Sequence, residues 1–371
     1  KEVLGQEVVP NSGCGSWLME PQRTNLITYS ESINNWLQER ITTTVNSIIS
    51  PQGNMSADKI NIDSTANSTH QAYIGPLTNT VGNVCISGFF KKGEYEWVHI
   101  GSGNANSKAF FNLKNGTVGV QLQDVVSSNI IDYGNGWYRC IVVVNSSTTS
   151  NYWEFGLAVE DGNRIISGTP ESGGLYAWGI QVENDSSYPT SYIPTQGATS
   201  TRLQDIATNS GNASLINSEQ GVLYAEIAAL SNDGTFRQVS LNDATNNNMI
   251  QIDYTSTDNQ IRGVVVSGGV LVANLIFTSS DATLSSKIAL KYKNNDFSLW
   301  VNGVEVSVDS SGVTPTNLSA LFLSNGGGTN NFYGKNKALA VYKTALTDAN
   351  LRCLTYPPAV ATTFDLNFNT I

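Results

Sequence analysis

Charge is scarce in this chain. Only 13% of its 371 residues are Asp, Glu, Lys or Arg, about half the share in an average soluble domain. The polar surface must therefore be built from Asn, Ser, Thr and Gln, a composition that suits all-β proteins and extracellular ones in particular. The charge that exists is acidic: 20 basic against 30 acidic residues leave −10. That balance argues against nucleic acid and against an anionic membrane surface as partners, and mildly against a strongly anionic polysaccharide. Histidine is scarcer still, with His70 and His99 alone, so a His-dependent triad has few options. No G-x-S-x-G elbow and no phosphate-cradling glycine pattern occurs; Gly326–Gly328 follows a strand and precedes no helix. The four cysteines, Cys14, Cys85, Cys140 and Cys353, form no C-x-x-C pair, which makes a structural zinc site improbable. No run reaches the ~20 apolar residues of a membrane span. No basic-plus-apolar leader opens the chain, and Lys1 in place of Met is what a fragment or processed product would show.

What is present is apolar and short-ranged. Hydrophobic residues make up 40%, enough for real cores, and the length suits two domains. Helical periodicity is nearly absent. Short alternating runs recur between Gly, Asn, Ser and Pro, the pattern of a sandwich or jelly roll. The first part predicts strands over Cys85–Phe90, Glu94–Ile100, Ala109–Leu113, Gly136–Asn145, Trp153–Val159 and Leu175–Glu183. The second predicts them over Gly221–Leu230, Phe236–Leu241, Met249–Tyr254, Gln260–Val266, Val270–Phe277, Lys287–Lys293, Leu318–Leu323 and Ala338–Tyr342. A last alternating run, Phe364–Phe368, is expected to return to the second part. The polar stretch Gly197–Glu219 places the boundary near 210, giving domains 1–210 and 211–371. Cys85 and Cys140 sit in apolar strand patterns and read as small buried hydrophobes, with a disulfide between neighbouring strands as the alternative.

The strongest local signal is Asn302-Gly303, flanked by alternating runs from Asn295 to Val308. Asn-Gly accepts the positive φ of both central positions of a type I′ hairpin turn. Leu299, Val301, Val304, Val306 and Val308 then supply one buried face, and Trp300 alternates away from it toward solvent. Near the end, Ala338–Tyr342 reads as a strand. Thr347 reads as an N-cap, Asp348 suits the positive helix start, and Leu351 and Leu354 make a short apolar stripe, so one short helix is expected near 347–354. This W-V-N-G hairpin, followed by a strand and a one-turn helix, resembles the end of a laminin-G-like, concanavalin A-like sandwich. That resemblance covers roughly Gly221–Leu354.

A second resemblance lies upstream. The run EPQRTNLITYSE (Glu20–Glu31) is followed by Trp36, Pro51-Gln52-Gly53 and Ala57–Ile60. Later come Phe90–Tyr95, Gly136–Arg139, Tyr176–Glu183, Ser191–Thr195 and Thr201-Arg202. In order and spacing this resembles a carbohydrate-binding-module-like jelly roll common in tailed-phage structural proteins, over roughly Gly15–Arg202. The fold class implied is all-β: two tandem antiparallel β-sandwiches, a jelly roll and then a laminin-G-like domain. The function implied is non-catalytic recognition of a cell-surface glycan or host receptor by a phage fibre, tail or head-decoration protein. Its location would be the virion or extracellular space. Its partners would be other virion proteins and further copies of itself in a homo-oligomer, with a trimer as one form. The rival readings are a purely structural spacer and an accessory region of a polysaccharide-degrading enzyme.

The most informative strand for binding is Glu94–Ile100. Alternation puts Tyr95, Trp97 and His99 on one face and the apolar Val98 and Ile100 on the other. Sugars stack their C–H faces on such aromatic rings. The other reading of this stripe is burial under a loop or a neighbouring subunit. Trp137 and Arg139 share a strand face and extend the same surface if they lie beside Trp97. Trp153 and Trp178 belong to continuous apolar faces and read as core; Trp36 reads as packed, and Trp17 is not placed. Glycosidase chemistry needs two carboxylates facing across a cleft. Glu94, Glu96, Glu154 and Glu160-Asp161 read instead as solvated surface groups, so no enzyme is expected. No cofactor is expected either, beyond one structural Ca²⁺ that the resemblance leaves open. Asp243, Asp253, Asp258 and Asp309 could serve it, and no spacing selects among them.

Overall fold

In the computed structural model the described residues are 2–3, 6–7, 15–103, 107–167 and 172–356. Among the described residues, strands hold 54% and helix 3%, so the fold is all-β. The chain forms two compact units. One is built from Glu20–Asp205; the other runs from Ile206 onward and also takes in Trp17–Met19.

The first unit is an antiparallel sandwich of two six-stranded sheets. The first sheet runs Thr117–Gln121, Lys108–Asn112, Trp97–Ser102, Ser150–Ala158, His70–Thr78 and Leu37–Glu39. The second runs Val125–Asp132, Trp137–Ser146, Gly82–Lys92, Gly174–Asn184, Met55–Ile62 and Ile41–Ile49. Period-two alternation sends one set of side chains from each strand between the sheets. Val98, Ile100, Phe111, Trp153, Phe155 and Leu157 come from the first sheet and meet Ile86, Phe90, Cys140, Val142 and Ile180 from the second. Trp36 packs edge-on against Phe155, with ring centroids 5.6 Å apart.

The first-module motifs turn out to be a clasp that joins the ends of this unit. Glu20 accepts from the Ser191 backbone N–H at 2.6 Å and pairs with Arg202. The Asn25 amide donates to the carbonyls of Ile180 and Ile193 and accepts from Val182 N–H. Tyr192 shares its hydroxyl with Ser30 at 2.6 Å and donates to Glu31 at 3.0 Å. The opening and closing motifs therefore sit far apart in sequence because they hydrogen-bond to each other in the fold.

The second unit packs a six-stranded sheet on a five-stranded one. The larger runs Val304–Asp309, Phe297–Val301, Ser286–Lys293, Gln220–Ala229, Gly334–Tyr342 and Trp17–Met19. The smaller runs Val270–Thr278, Gln260–Ser267, Met249–Tyr254, Arg237–Asn242 and Ala320–Phe322. The single cut near 210 thus needs correcting. Trp17–Met19 pairs with Gly334–Asn336, and Met19 enters the second core, so this edge strand leaves domain 1–210.

The hairpin forms as the Asn-Gly pair dictates, with φ of 49° at Asn302 and 87° at Gly303. Its buried face needs correction. A bulge between Leu299 and Trp300 shifts the register, and one extra residue moves everything beyond it to the opposite face. Leu299, Val301 and Val306 face the core; Val308, beyond the bulge, is turned out across from Ser298, and Val304, beside the turn, is exposed across from Val301. Trp300, expected in solvent, is buried. It packs with Val222, Tyr224, Ala289 and Leu351 beneath the helix Asp348–Thr355. Thr347 caps that helix, accepting from Asn350 N–H at 3.3 Å, and Thr355 Oγ1 accepts from Gly303 N–H at 3.1 Å.

Cys85 and Cys140 are free and buried. Cys140 lies in the inter-sheet core and Cys85 on the opposite face of the same sheet with Ile141 and Val143, so the disulfide alternative falls. Among the described residues no helix is long and apolar enough to cross a membrane. Phe364–Phe368 lies outside the described residues.

Candidate functional site

The strand Trp97–Ser102 has Trp153–Ala158 on one side and Lys108–Asn112 on the other. Because Val98, Ile100, Phe155, Leu157 and Phe111 point inward, the outward set is Trp97, His99, Glu154, Lys108 and Phe110. On His70–Thr78 the same rule turns Ala72 and Ile74 in and Gln71 and Tyr73 out.

This face does not present the expected stripe. His99 is fully buried, its ring 5.8 Å from that of Phe110. Its Nε2 lies over Gly156, where even a Cβ would approach within 2.5 Å. Burial, with help from the Lys108 and Arg164 charges, holds its pKa well below the usual histidine range. Neither its ring nitrogens nor those of His70 are reached by solvent, and His70 Nε2 lies 3.4 Å from Asp63 Oδ1. The two histidines are therefore out of reach of a solvent-borne substrate. Trp97 is half-buried: its ring packs over Gly119, where a Cβ would come within 2.8 Å of Cζ3. Tyr95 is half-buried and packs against the inter-sheet core.

Trp137 and Arg139 do not extend this surface at all. They stand on the outer face of the second sheet, both buried. There Trp137, Phe89, Trp178 and Tyr192 make a satellite core, so Trp178 is buried here rather than between the sheets. The segment Ser186–Thr195 supplies Thr190 and Tyr192 to this cluster. Arg139 donates to Ser87 Oγ at 2.9 Å and to the Thr190 carbonyl at 2.8 Å, its guanidinium 5.3 Å from the Phe89 ring centre. Glu183 accepts from Thr190 Oγ1 at 2.5 Å. These are structural roles, and no local pattern marks the covering segment's path.

What the first sheet does present is a different group. Tyr73 and Tyr152 meet edge-to-face with ring centroids 5.8 Å apart, and Tyr152 is 42% exposed. Glu154 lies directly across from Tyr73. Lys108 Nζ is 3.0 Å from Glu154 Oε1, and Arg164 Nη1 is 3.7 Å from the same oxygen. Lys108 is buried and donates to the Ser102 carbonyl at 2.7 Å, whereas Arg164 is a third exposed. Burial pushes the Glu154 carboxyl up, opposed by Lys108 and Arg164, and pushes Lys108 down, opposed by Glu154. Gln71 donates to Glu39 at 2.9 Å, and Arg40 holds the other Glu39 oxygen at 2.5 Å. The result is an aromatic pair, Tyr152 exposed and Tyr73 half-buried, beside fixed carboxylate, amide and guanidinium groups. Part of the signal was available: the alternation that reads Trp153 as core turns Tyr152 and Glu154 outward, but nothing local placed the strand His70–Thr78 beside them.

The other acidic candidates are engaged locally. The Gly174 backbone N–H and then Lys59 hold Glu94 below the usual carboxylate range; Glu96 lies near Lys114 and Lys92. Asp243 and Asp309 accept from residues two positions on, closing their own turns. Asp253 is buried against Arg262. Among the described residues no three His, Cys, Asp or Glu side chains gather as a metal site.

The two sandwiches define an all-β chain of the class that in other proteins carries lectins and adhesion modules. No protein-family model matches the sequence, and no curated protein does. Solved structures do share parts of the architecture. The CBM40 of the Ruminococcus gnavus IT-sialidase, bound to α2,3-sialyllactose, is 18% identical and matches at a TM-score of 0.33, covering 41% of this chain and 95% of that one. Domains LG4-5 of the mouse laminin α1 chain are 13% identical, at a TM-score of 0.26 over 74% of this chain and 86% of that one. Sheep galectin-11 is 10% identical, at 0.27 over 38% and 99%. Likeness at these scores carries no argument about ligand, and the description of the fold rests on the sheets themselves.

Proposed function

We propose that this chain is a non-catalytic glycan-recognition protein, part of a phage fibre or virion surface. The observation that carries the glycan reading is the Tyr73–Tyr152 pair, with Tyr152 exposed and Tyr73 half-buried, set beside the partly exposed Arg164, which pairs with the buried Glu154. Aromatic rings take the C–H face of a sugar, and fixed charged groups take its hydroxyl rim. The non-catalytic reading is supported by the burial of both histidines and by the cations that flank Glu154. The phage setting is supported by the order of the first-module motifs. A single exposed platform of this size binds weakly, and copies in a homo-oligomer supply avidity.

The structural-spacer reading draws support from a different observation: Trp137, Trp178, Trp300 and His99 are all buried. One experiment separates the two. Tyr152→Ala and Arg164→Ala should each lower retention on host cells or a bacterial-glycan array, with a melting temperature close to that of the parent. Unchanged retention in both variants would leave the spacer reading standing. Release of reducing ends from a polysaccharide panel, lost on Glu154→Gln, would overturn the non-catalytic reading.

A further inference from the structure

Four Asn-Gly pairs occur in the chain: Asn115-Gly116, Asn135-Gly136, Asn302-Gly303 and Asn325-Gly326. Such a pair carries its own chemistry. The asparagine side-chain carbonyl carbon is one ring closure away from the next backbone nitrogen, and glycine puts no side chain in the way. Whether the ring closes depends on what the fold does with that nitrogen and that amide. Three of the pairs are held. Gly116 N–H donates to the Asn112 carbonyl at 3.0 Å. Gly303 N–H donates to Thr355 Oγ1 at 3.1 Å, and Asn302 Oδ1 accepts from Lys287 N–H at 2.9 Å. Asn325 is buried, its amide donating to Thr329 Oγ1 at 2.8 Å and accepting from Thr329 N–H at 2.9 Å.

Asn135-Gly136 is not held. Both residues are exposed, at the tip of the turn between Val125–Asp132 and Trp137–Ser146. Gly134, Asn135 and Gly136 all take left-handed φ, of 77°, 52° and 77°. The turn is closed around them: Tyr133 N–H donates to the Trp137 carbonyl and Trp137 N–H to the Gly134 carbonyl, both at 2.9 Å. Among the described residues nothing hydrogen-bonds the Gly136 N–H or the Asn135 side-chain amide. A cation stands at the peptide that joins them. Lys91 Nζ donates to the Asn135 carbonyl at 2.7 Å, and its Cε lies 3.4 Å from where a Gly136 Cβ would be. A positive charge on that carbonyl favours loss of the Gly136 N–H proton, because it stabilises the anion left behind.

We propose that Asn135-Gly136 is a self-modification site, at which the chain converts Asn135 to aspartate and isoaspartate with water as the only co-reactant. The Gly136 nitrogen, having given its proton to solvent, bonds to Asn135 Cγ. The Cγ–Nδ2 bond breaks, and the amide leaves as ammonia after taking a proton from water. Water then opens the cyclic imide. Cleavage of the new N–Cγ bond gives aspartate; cleavage of the original peptide bond leaves the chain running through Cγ, as isoaspartate. Either product places a carboxylate next to Lys91. Isoaspartate also adds a methylene to the backbone between Tyr133 and Trp137. Tyr133 packs edge-on against Phe89 with ring centroids 4.9 Å apart, and Trp137 belongs to the same satellite core. The conversion therefore loosens the outer face of the second sheet as the protein ages.

The test holds the full chain at mildly alkaline pH and maps it over time by mass spectrometry that separates aspartate from isoaspartate. Asn135 should convert ahead of Asn115, Asn302 and Asn325. In denaturant, where no pair is held, that ranking should collapse. Lys91→Met removes the charge and keeps the apolar stem. It should slow conversion at Asn135 by about 2- to 5-fold, the worth of an exposed charge contact, and leave Asn302 unchanged. The melting temperature of the first unit should fall as isoaspartate accumulates. Asn135→Gly suits the left-handed backbone and has no amide to lose, so it should age without that fall. Earlier conversion at any of the other three pairs would overturn the proposal. So would an unchanged rate in Lys91→Met, a native ranking equal to the denatured one, or equal ageing of the parent and Asn135→Gly.

Discussion

His99 shows how a single side chain can couple this fold to pH. Its pKa is held well below the usual histidine range, first by burial and then by the Lys108 and Arg164 cations, both of which lie beside Glu154. The unfolded chain takes up a proton near pH 6.5, while the folded chain resists it. Stability from this group is therefore present above about pH 6.5 and is lost as pH falls below it toward the depressed folded value. The buried carboxyls Asp58, Glu154, Glu183 and Asp253 are shifted up and act in the opposite sense, contributing less as pH rises. The difference between the parent and His99→Gln isolates the histidine. Between pH 7 and 5 the parent should lose more melting temperature than His99→Gln; parallel curves would refute the assignment. Two aromatics give a matched contrast. Trp178 is fully buried against Phe89 and Tyr192, so Trp178→Ala should cost about 3–5 kcal/mol. Tyr152→Ala, at an exposed site, should stay within about 0.5 kcal/mol. Denaturant titration of both reads this directly.

At the level of elements, the hairpin and the terminal helix form one device. Gly303 holds φ of 87° in the turn, donates to Thr355 at the helix end, and lies where a Cβ would come within 2.9 Å of Tyr356. Gly303→Ala should therefore cost more than the roughly 1–2 kcal/mol of the left-handed backbone alone. Leu351 is fully buried over Trp300, and Leu351→Ala should cost about 2–5 kcal/mol. In calorimetry both changes should lower the second unit's transition and leave the first in place. A shift of the first transition by either would mean that the two units do not unfold separately.

For the whole molecule, the second unit is built from two separate stretches of chain. Trp17–Met19 serves the second sandwich before Glu20 begins the first. A fragment that starts at Ile206 therefore lacks an edge strand and the Met19 side chain of its core. It should melt lower than the same unit in the full chain, and a peptide of residues 15–19 added in trans should raise its melting point. Equal stability of fragment and full chain would show that the strand contributes nothing. A fragment of residues 20–205 keeps both clasping motifs and should fold alone.

Sequence by itself determined what depends on short range. Alternation fixed most strands and the inward faces of Val98, Ile100 and Trp153, because a strand has a period of two whatever its neighbours are. Asn302-Gly303 fixed a turn and Thr347 a cap, because both depend on the backbone within a few residues. Tertiary structure alone decided what covers the outer faces. Whether Trp137, Trp178, Trp300 or His99 meets solvent depends on segments distant in sequence: Ser186–Thr195 over one sheet and Asp348–Thr355 over another. Alternation says that a residue points away from the core, and it is silent on what arrives there. The same limit hid the Tyr73–Tyr152 pair and the Asp253–Arg262 pair, since each gathers residues from strands whose register no local signal sets. It also hid the bulge that turned Val308 outward and the first strand's place in the second sandwich.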